Sequence, residues 1–460
     1  MFRNLDKNAF IFATGKRLKE VRGVNRRLII PLSLSLMLVV TASLIWYIWS
    51  LSPFSSPDAQ SILWQNPQVA NFARDFTVAD GKVFVTNNGA FVQCFDENTG
   101  QSIWNTSLHY GDYGGWPQVV VYEGKLYVST GDQLVKRLNV ETGVVEMEYQ
   151  APLGGTNDYK MIPSFFIADG KVFATAYGTA AYDATTGRQL WTDTYRGLIV
   201  NETSSALPKS DFAYVTSSRG WYLQRRDPNN GEAIWAFPGY ADGSVLFQDQ
   251  VVLWNYDPED RYPYRGNTTV CLDVKTGREQ WRYDPNARIF QPTVNNGLLL
   301  FGAHDGNFYA LNMANGSLKW KTYIDDSEII QNFNKNQSLS EQPSFMTLSA
   351  SRIEIDNQNQ TVFWSIFSPV NNSGSIMSLN LNNGNKLWYT CLNNSLISNA
   401  WPMALLNDKL FITGGTAIYC VKASTGNVLW TRKFDHYVLH PILADNKVFI
   451  VADMYVIAYK

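Results

Sequence analysis

The 460-residue sequence is poor in the residues that staple or metallate small folds, with 4 Cys and 4 His. That scarcity excludes a disulfide-dense scaffold and an array of zinc modules. No two of Cys94, Cys271, Cys391 and Cys420 are adjacent, and His109, His304, His436 and His440 show no metal-ligand spacing. Nothing matches a P-loop, a dinucleotide fingerprint, GxSxG or HExxH, so nucleotide and hydrolase chemistry have no motif to stand on. Charge is sparse too, at 17% of residues with a formal net charge of −2. The total hides a split: residues 1–27 hold eight basic and two acidic side chains, a balance of +6, which leaves −8 for the remainder. A nucleic-acid partner is not expected on so acidic a body.

What the chain has in excess is apolar and aromatic. Hydrophobic residues make up 45% and aromatics 14%, including 15 Trp, which excludes general disorder. Residues 28–51 carry no charge, and at about 1.5 Å per residue they span a hydrocarbon core about 30 Å thick. Arg26 and Arg27 precede this run, and Trp46, Tyr47 and Trp49 lie at its far end, where amphipathic rings favour the headgroup region. The expected layout is a cytoplasmic basic segment at 1–27, a transmembrane signal-anchor helix at 28–51, a Ser/Pro linker at 52–60 and one folded domain at 61–460. The positive-inside rule places that domain outside the cytoplasm. A cleaved signal peptide is the competing reading of the apolar run.

One pattern recurs through 61–460: strand, tight turn, strand, strand, then a Thr-Gly or Asn-Gly turn, and a Trp four residues after that Gly. The pairs are Gly100/Trp104, Gly187/Trp191, Gly231/Trp235, Gly277/Trp281, Gly316/Trp320, Gly384/Trp388 and Gly426/Trp430, with Gly143/Met147 a copy in which Met replaces Trp. Successive glycines stand 39 to 46 residues apart, except for 68 between Gly316 and Gly384. That period suits a four-stranded propeller blade. A single twisted sheet leaves both faces wet, so such units must stack on one another, and a large flat indole covers much of the face between them. The C-terminal HPILADNKVFIVADMYVIAYK supplies three strands and stops. SILWQ at 61–65, with Trp64, is the orphan fourth strand that closes the ring, giving eight or nine blades.

Segments such as DGNFYALNMANGSLKW and NDKLFITGGTAIYCVKASTGNVLW resemble the pyrroloquinoline-quinone-like (PQQ-like) propeller repeat. That family includes the quinoprotein alcohol dehydrogenases and the non-enzymatic outer-membrane assembly propeller of bacteria. The resemblance covers 61–460 and implies an all-β, PQQ-like β-propeller of four-stranded blades. It specifies fold and not activity. The enzymes of the family stack their quinone on a Trp beside a disulfide between adjacent cysteines. Here Cys94, Cys271 and Cys420 share one repeat position with Ala310 and Ser378, which reads as buried packing in separate blades.

A calcium site would need clustered oxygen ligands. The densest acidic groups, Asp257/Glu259/Asp260 and Asp325/Asp326/Glu328, fall in insertions and read as solvated loops; a polar insertion at 323–342 reads equally as a surface excursion or a partner-binding loop. No catalytic, cofactor or metal residue is assigned, and PQQ with calcium enters only under the dehydrogenase alternative. Several units open their innermost strand with a residue followed by Pro. Trp116, Gln291, Gln342, Trp401 and His440 are therefore candidate binding residues at the channel mouth, against the reading that Pro simply starts a strand. Eight N-x-Ser/Thr sequons all fall on the expected outer side.

The expected function is a membrane-anchored, extracytoplasmic, non-enzymatic scaffold for a protein or carbohydrate partner at the cell envelope. A membrane-anchored quinoprotein dehydrogenase is the alternative, and a purely structural envelope component the third possibility.

Overall fold

A computed structural model describes residues 61–460 apart from 68, 70–72, 88–90, 109–116, 154–161, 194–195, 200–212, 218–220, 259–265, 324–348, 369–372, 393–401 and 453. The expected cytoplasmic segment, membrane span and linker lie outside the described residues. Among the described residues no helix is long and apolar enough to cross a membrane.

All described elements belong to one compact unit, Ser56–Lys460. Its strands form nine four-stranded antiparallel sheets among the described residues, eight of them built from consecutive strands. The first strands, in blade order, are Ala73–Ala79, Val119–Tyr122, Ser164–Ala168, Arg196–Ile199, Gly243–Phe247, Thr293–Asn295, Ser349–Asp356, Met403–Leu406 and Ile442–Ala444. The ninth sheet is composite. Ile62–Asn66 pairs antiparallel with Tyr455–Tyr459, placing Trp64 opposite Ala458, so the first described strand completes the last blade as the sequence led us to expect.

Burial follows each strand's place in its sheet. Lys82–Asn87 (KVFVTN) has four consecutive buried residues, because a central strand sandwiched between two neighbouring sheets is covered on both faces. Ser102–Ser107 (SIWNTS) alternates partly buried and exposed residues, because an outer strand meets water on one side. The first turn of the opening blade uses Asp80 and Gly81 at φ +53° and +71°, the mirror-image hairpin geometry that matches strand twist.

Among the described residues nine separate hydrophobic clusters fill the seams, and eight of them join residues of adjacent sheets. Phe84, Val92 and Cys94 of the first sheet pack with Val119, Leu126 and Leu138 of the second. Phe449, Val451 and Val456 of the ninth pack with Phe76, Val83 and Phe95 of the first, so the ring is closed. The remaining cluster, around Phe166, Phe173 and Trp191, lies in the third sheet, and Trp191 Nε1–H donates to Pro228 O of the fourth at 3.0 Å.

The repeat's Gly and Trp act between blades and not within one. Each outer-strand indole lies on the turn glycine of the next blade: Trp191 on Gly231, Trp235 on Gly277, Trp281 on Gly316, Trp320 on Gly384 and Trp388 on Gly426. A Cβ on any of these glycines would stand 2.5 to 2.7 Å from a ring atom. Trp64 does the same to Gly100 across the closing seam and donates its Nε1–H to Glu97 O at 2.9 Å. Trp430 has no such glycine beyond it, because the ninth sheet lacks that turn, and it stacks on Tyr459 at 5.3 Å.

Two tryptophans outside the repeat are also structural. Trp364 is 1% exposed and lies against Gly302, and Trp254 lies against Gly243. Cys94, Cys271 and Cys420 are buried, Cys391 is exposed, and all four are free.

Candidate functional site: the channel mouth

The first strands of neighbouring sheets touch one another around the axis, so the residues at their leading ends ring one mouth of the central channel. Asp75, Gln118, Ser164, Gln291 and His440 all stand seven positions ahead of the first residue of their blade's second strand (Lys82, Lys125, Lys171, Leu298, Lys447). Arg352 takes this place in the seventh sheet, whose turn is longer. Its backbone N–H meets Ser365 Oγ at 3.3 Å, as the Gln118 N–H meets Ser129 Oγ at 2.8 Å. The fifth and eighth sheets put Gly243 and Pro402 at this register.

These side chains also tie blade to blade. Asp75 Oδ2 accepts the Val119 N–H at 2.9 Å, and Gln118 Oε1 accepts the Phe165 N–H at 2.9 Å. Two residues further along the seventh first strand, Glu354 accepts the Leu405 N–H. Inner strands of different sheets have no ladder between them, so these carboxyl and amide groups satisfy donors that would otherwise be orphaned.

The electrostatics follow from crowding. Burial pushes the Asp75 carboxyl up to about 6, against the lowering effect of the Val119 and Phe76 N–H groups. Burial likewise raises Glu354 to about 7, opposed by the Leu405 N–H. The His440 side chain is solvent-exposed at one edge yet surrounded by protein on most sides, which lowers its affinity for a proton, and the Arg352 guanidinium lowers it further. Its ring leans on Phe76, with centroids 5.4 Å apart.

At the same mouth the fifth and sixth sheets are joined by a polar network. Asn255, 1% exposed and at φ +53°, donates from Nδ2 to Asp242 Oδ2 and to Ile289 O, both at 2.8 Å, and accepts the Ile289 N–H at 2.8 Å. Arg288 pairs with Asp242. His304 stacks on Phe290 at 4.7 Å, and burial, then Arg288, lowers its pKa.

Of the five candidate residues, Gln291 and His440 are placed together at this ring, both exposed. Trp116, Gln342 and Trp401 lie outside the described residues. The Pro-based signal does not follow one register, since Trp401 precedes its blade's second strand by eight positions and Trp116 by nine. Counting back from the second strand is the signal that recovers Asp75 and Gln118, whereas Arg352 is recovered only from its pairing opposite Ser365 across a longer turn. The acidic insertion needs a correction: Asp257 is 3% exposed, and its backbone pairs with Tyr240 in both directions, because the chain is still in the sheet there. Glu259, Asp260, Asp325, Asp326 and Glu328 lie outside the described residues.

A family model described as outer membrane protein assembly factor BamB matches residues 62–237, 239–363 and 372–460. No curated protein matches the chain significantly. Among solved structures, the quinohemoprotein alcohol dehydrogenase ADHIIG from Pseudomonas putida HK5 is similar at 15% identity. The match covers 88% of this chain and 78% of that one, with a TM-score of 0.50. BamB from Moraxella catarrhalis is similar at 12% identity over 86% and 98% of the two chains, with a TM-score of 0.46. Identities this low speak to fold alone. The family match, running from the closing strand to the final residue of the ninth sheet, shows that the chain belongs to the PQQ-like β-propeller family of the outer membrane protein assembly factor BamB.

Proposed function

We propose that this protein is a non-enzymatic scaffold at the cell envelope, anchored by residues 28–51, that holds a protein partner across the channel mouth. The observation that carries this reading is the ring of equivalent positions occupied by a carboxyl, two amides, a hydroxyl, a guanidinium and an imidazole: Asp75, Gln118, Gln291, Ser164, Arg352 and His440. The scaffold repeats while these side chains do not. Such a ring suits the irregular surface of one protein better than a uniform polymer. The family's description as an outer membrane protein assembly factor agrees with a protein partner.

The dehydrogenase alternative asks for a quinone with a divalent ion and, in the alcohol dehydrogenases of the family, adjacent cysteines, and no two cysteines of this chain are adjacent. Cys94, Cys271 and Cys420 are buried in the first, fifth and eighth sheets. Dye reduction by the full chain with added quinone and calcium, over a panel of alcohols and sugars, would overturn the scaffold reading if turnover appeared. The positive test is recovery of a partner from membrane extract on the full chain, compared with Arg352→Ala and His440→Ala. Specific recovery that falls in both variants supports the reading, and equal recovery, or none on a folded bait, contradicts it.

A further inference from the structure

At the opposite end of the ring from the mouth, the seventh and eighth blades part to form a cleft of about 840 Å³ that the first hairpin of the ninth blade also borders through Leu443 and Asn446. We propose that this cleft binds a neutral oligosaccharide. In every other sheet whose first turn lies among the described residues, two residues join the first and second strands; in the seventh, four do, Asn357 to Gln360. The longer turn stands up as a wall facing the two-residue turn Asn407–Asp408 of the eighth blade.

The wall is held rigid from within. Asp356 accepts the N–H groups of Gln358 and Asn359, both at 3.0 Å, and the Asn359 Nδ2–H at 2.7 Å. Across the cleft, Asp408 accepts the N–H and the hydroxyl of Ser424, each at 2.8 Å. Both carboxylates are thus engaged in holding turns, and the groups left to meet a ligand are the side-chain amides of Gln358, Asn407 and Asn446 above an apolar floor that includes Phe363 and Trp388.

The floor carries a second pointer to a ligand. Ser378 is 0% exposed and lines the cleft, and its hydroxyl has no hydrogen-bond partner. The ladder pairs Ser378 with Trp388, as it pairs Cys94 with Trp104, Cys271 with Trp281, Ala310 with Trp320 and Cys420 with Trp430. The third and ninth blades place Ala181 and Ala458 there, so six blades have a thiol or a methyl, which tolerate an apolar seam; the second and fourth have Arg137 and Arg225, each donating to a backbone carbonyl of the next blade, a partner the Ser378 hydroxyl lacks. A buried hydroxyl left unpaired is costly unless something arrives to pair with it.

The chemistry selects the ligand class. Side-chain amides donate and accept at one site, as sugar hydroxyls do, and the apolar lining that includes Phe363, Leu387 and Leu405 suits the C–H face of a pyranose. An anion would meet two carboxylates. An extended peptide would look for a free strand edge, and the cleft is bordered by turns.

Titration calorimetry of the full chain with maltotetraose, cellotetraose, chitotetraose and mannotetraose tests the assignment. At least one should bind saturably, with Gln358→Ala and Asn407→Gly each weakening it about fivefold, glycine being chosen because Asn407 has φ +54°. Ser378→Ala should weaken binding while leaving the melting temperature of the free protein unchanged or raised. His440→Ala should leave saccharide binding intact, so the outcome here is independent of the mouth and its protein partner. No binding by any of the four sugars, binding undiminished by the cleft variants, or binding only of a charged saccharide or a peptide would overturn the proposal.

Discussion

Trp104 of the first blade lies on Gly143 of the second so closely that a Cβ added there would stand 2.5 Å from Cε3. Its Nε1–H donates to Val140 O at 3.0 Å, three residues before that glycine. The same carbonyl position receives the indole in six other seams: Glu97, Pro228, Val274, Met313, Leu381 and Ala423. A positive φ alone would explain a turn glycine, but the indole explains why no side chain of any kind fits.

The two roles of glycine separate by substitution. Gly124 sits at φ +67° with nothing within 4 Å of its missing Cβ, whereas Gly316 at φ +68° would drive a Cβ to 2.6 Å from Trp281. Gly124→Ala should cost about 1 kcal/mol for backbone strain, and Gly316→Ala about 3 kcal/mol once the seam is forced open. Denaturant unfolding of the two variants measures the difference; equal costs would mean that the indole contact adds nothing.

The Met147 seam is the exception, and its cause is visible. The acceptor carbonyl there, Ala184 O, already receives Arg137 Nη1 and the Tyr149 hydroxyl, the latter at 2.7 Å. An indole at 147 would bury an N–H with no acceptor. Met147→Trp should therefore destabilise by about 1–3 kcal/mol despite restoring the repeat consensus, and adding Tyr149→Phe should recover part of the loss. A thermal shift assay on the single and double variants checks the order.

A charge pair with its carboxylate buried bridges the closing seam. Lys447 Nζ of the ninth sheet meets Glu97 Oε1 of the first at 2.8 Å, where the Glu97 side chain is 2% exposed. Lys447→Met leaves that carboxylate uncompensated and should cost about 3–5 kcal/mol, with Lys447→Met, Glu97→Gln recovering most of it. Unfolding of the pair of variants reads this directly.

The mouth carboxyls set a pH dependence. Asp75 and Glu354 have folded values of about 6 and about 7, above their free values of 3.8 and 4.5. Their contribution favours the fold fully below about pH 4 and is lost as pH rises through those folded values. Relative to Asp75→Asn, Glu354→Gln, the parent protein should lose about 1–2 kcal/mol per site between about pH 4 and about pH 8, after allowance for screening by channel water. A difference that grows toward low pH would contradict the assignment.

The architecture was legible because it rests on local signals repeated many times: the turn glycines, the KVFV-type strands and the orphan strand around Trp64. The Gly/Trp spacing was legible, but its meaning was not, since Trp104 and Gly143 belong to different repeats and only packing shows that they touch. Gln291 and His440 were found because a proline follows them. Asp75, Gln118 and Arg352 have no such neighbour, and their equivalence lies in strand register. Asp257 misled because acidic composition says nothing of a backbone still bound in a sheet. Ser378 looked like one more small packing residue, and its unpaired hydroxyl appears only in three dimensions.

The central claim is that the mouth, formed by the leading ends of the inner strands, holds a protein partner. Photo-crosslinking in intact membranes, with the reactive group placed in turn at His440, at Gln291 and, on the opposite face, at Ser424, tests it most directly. The account expects one discrete protein adduct from His440 and Gln291 and none of that mass from Ser424. No adduct from the mouth positions, or the same adduct from all three, would contradict it.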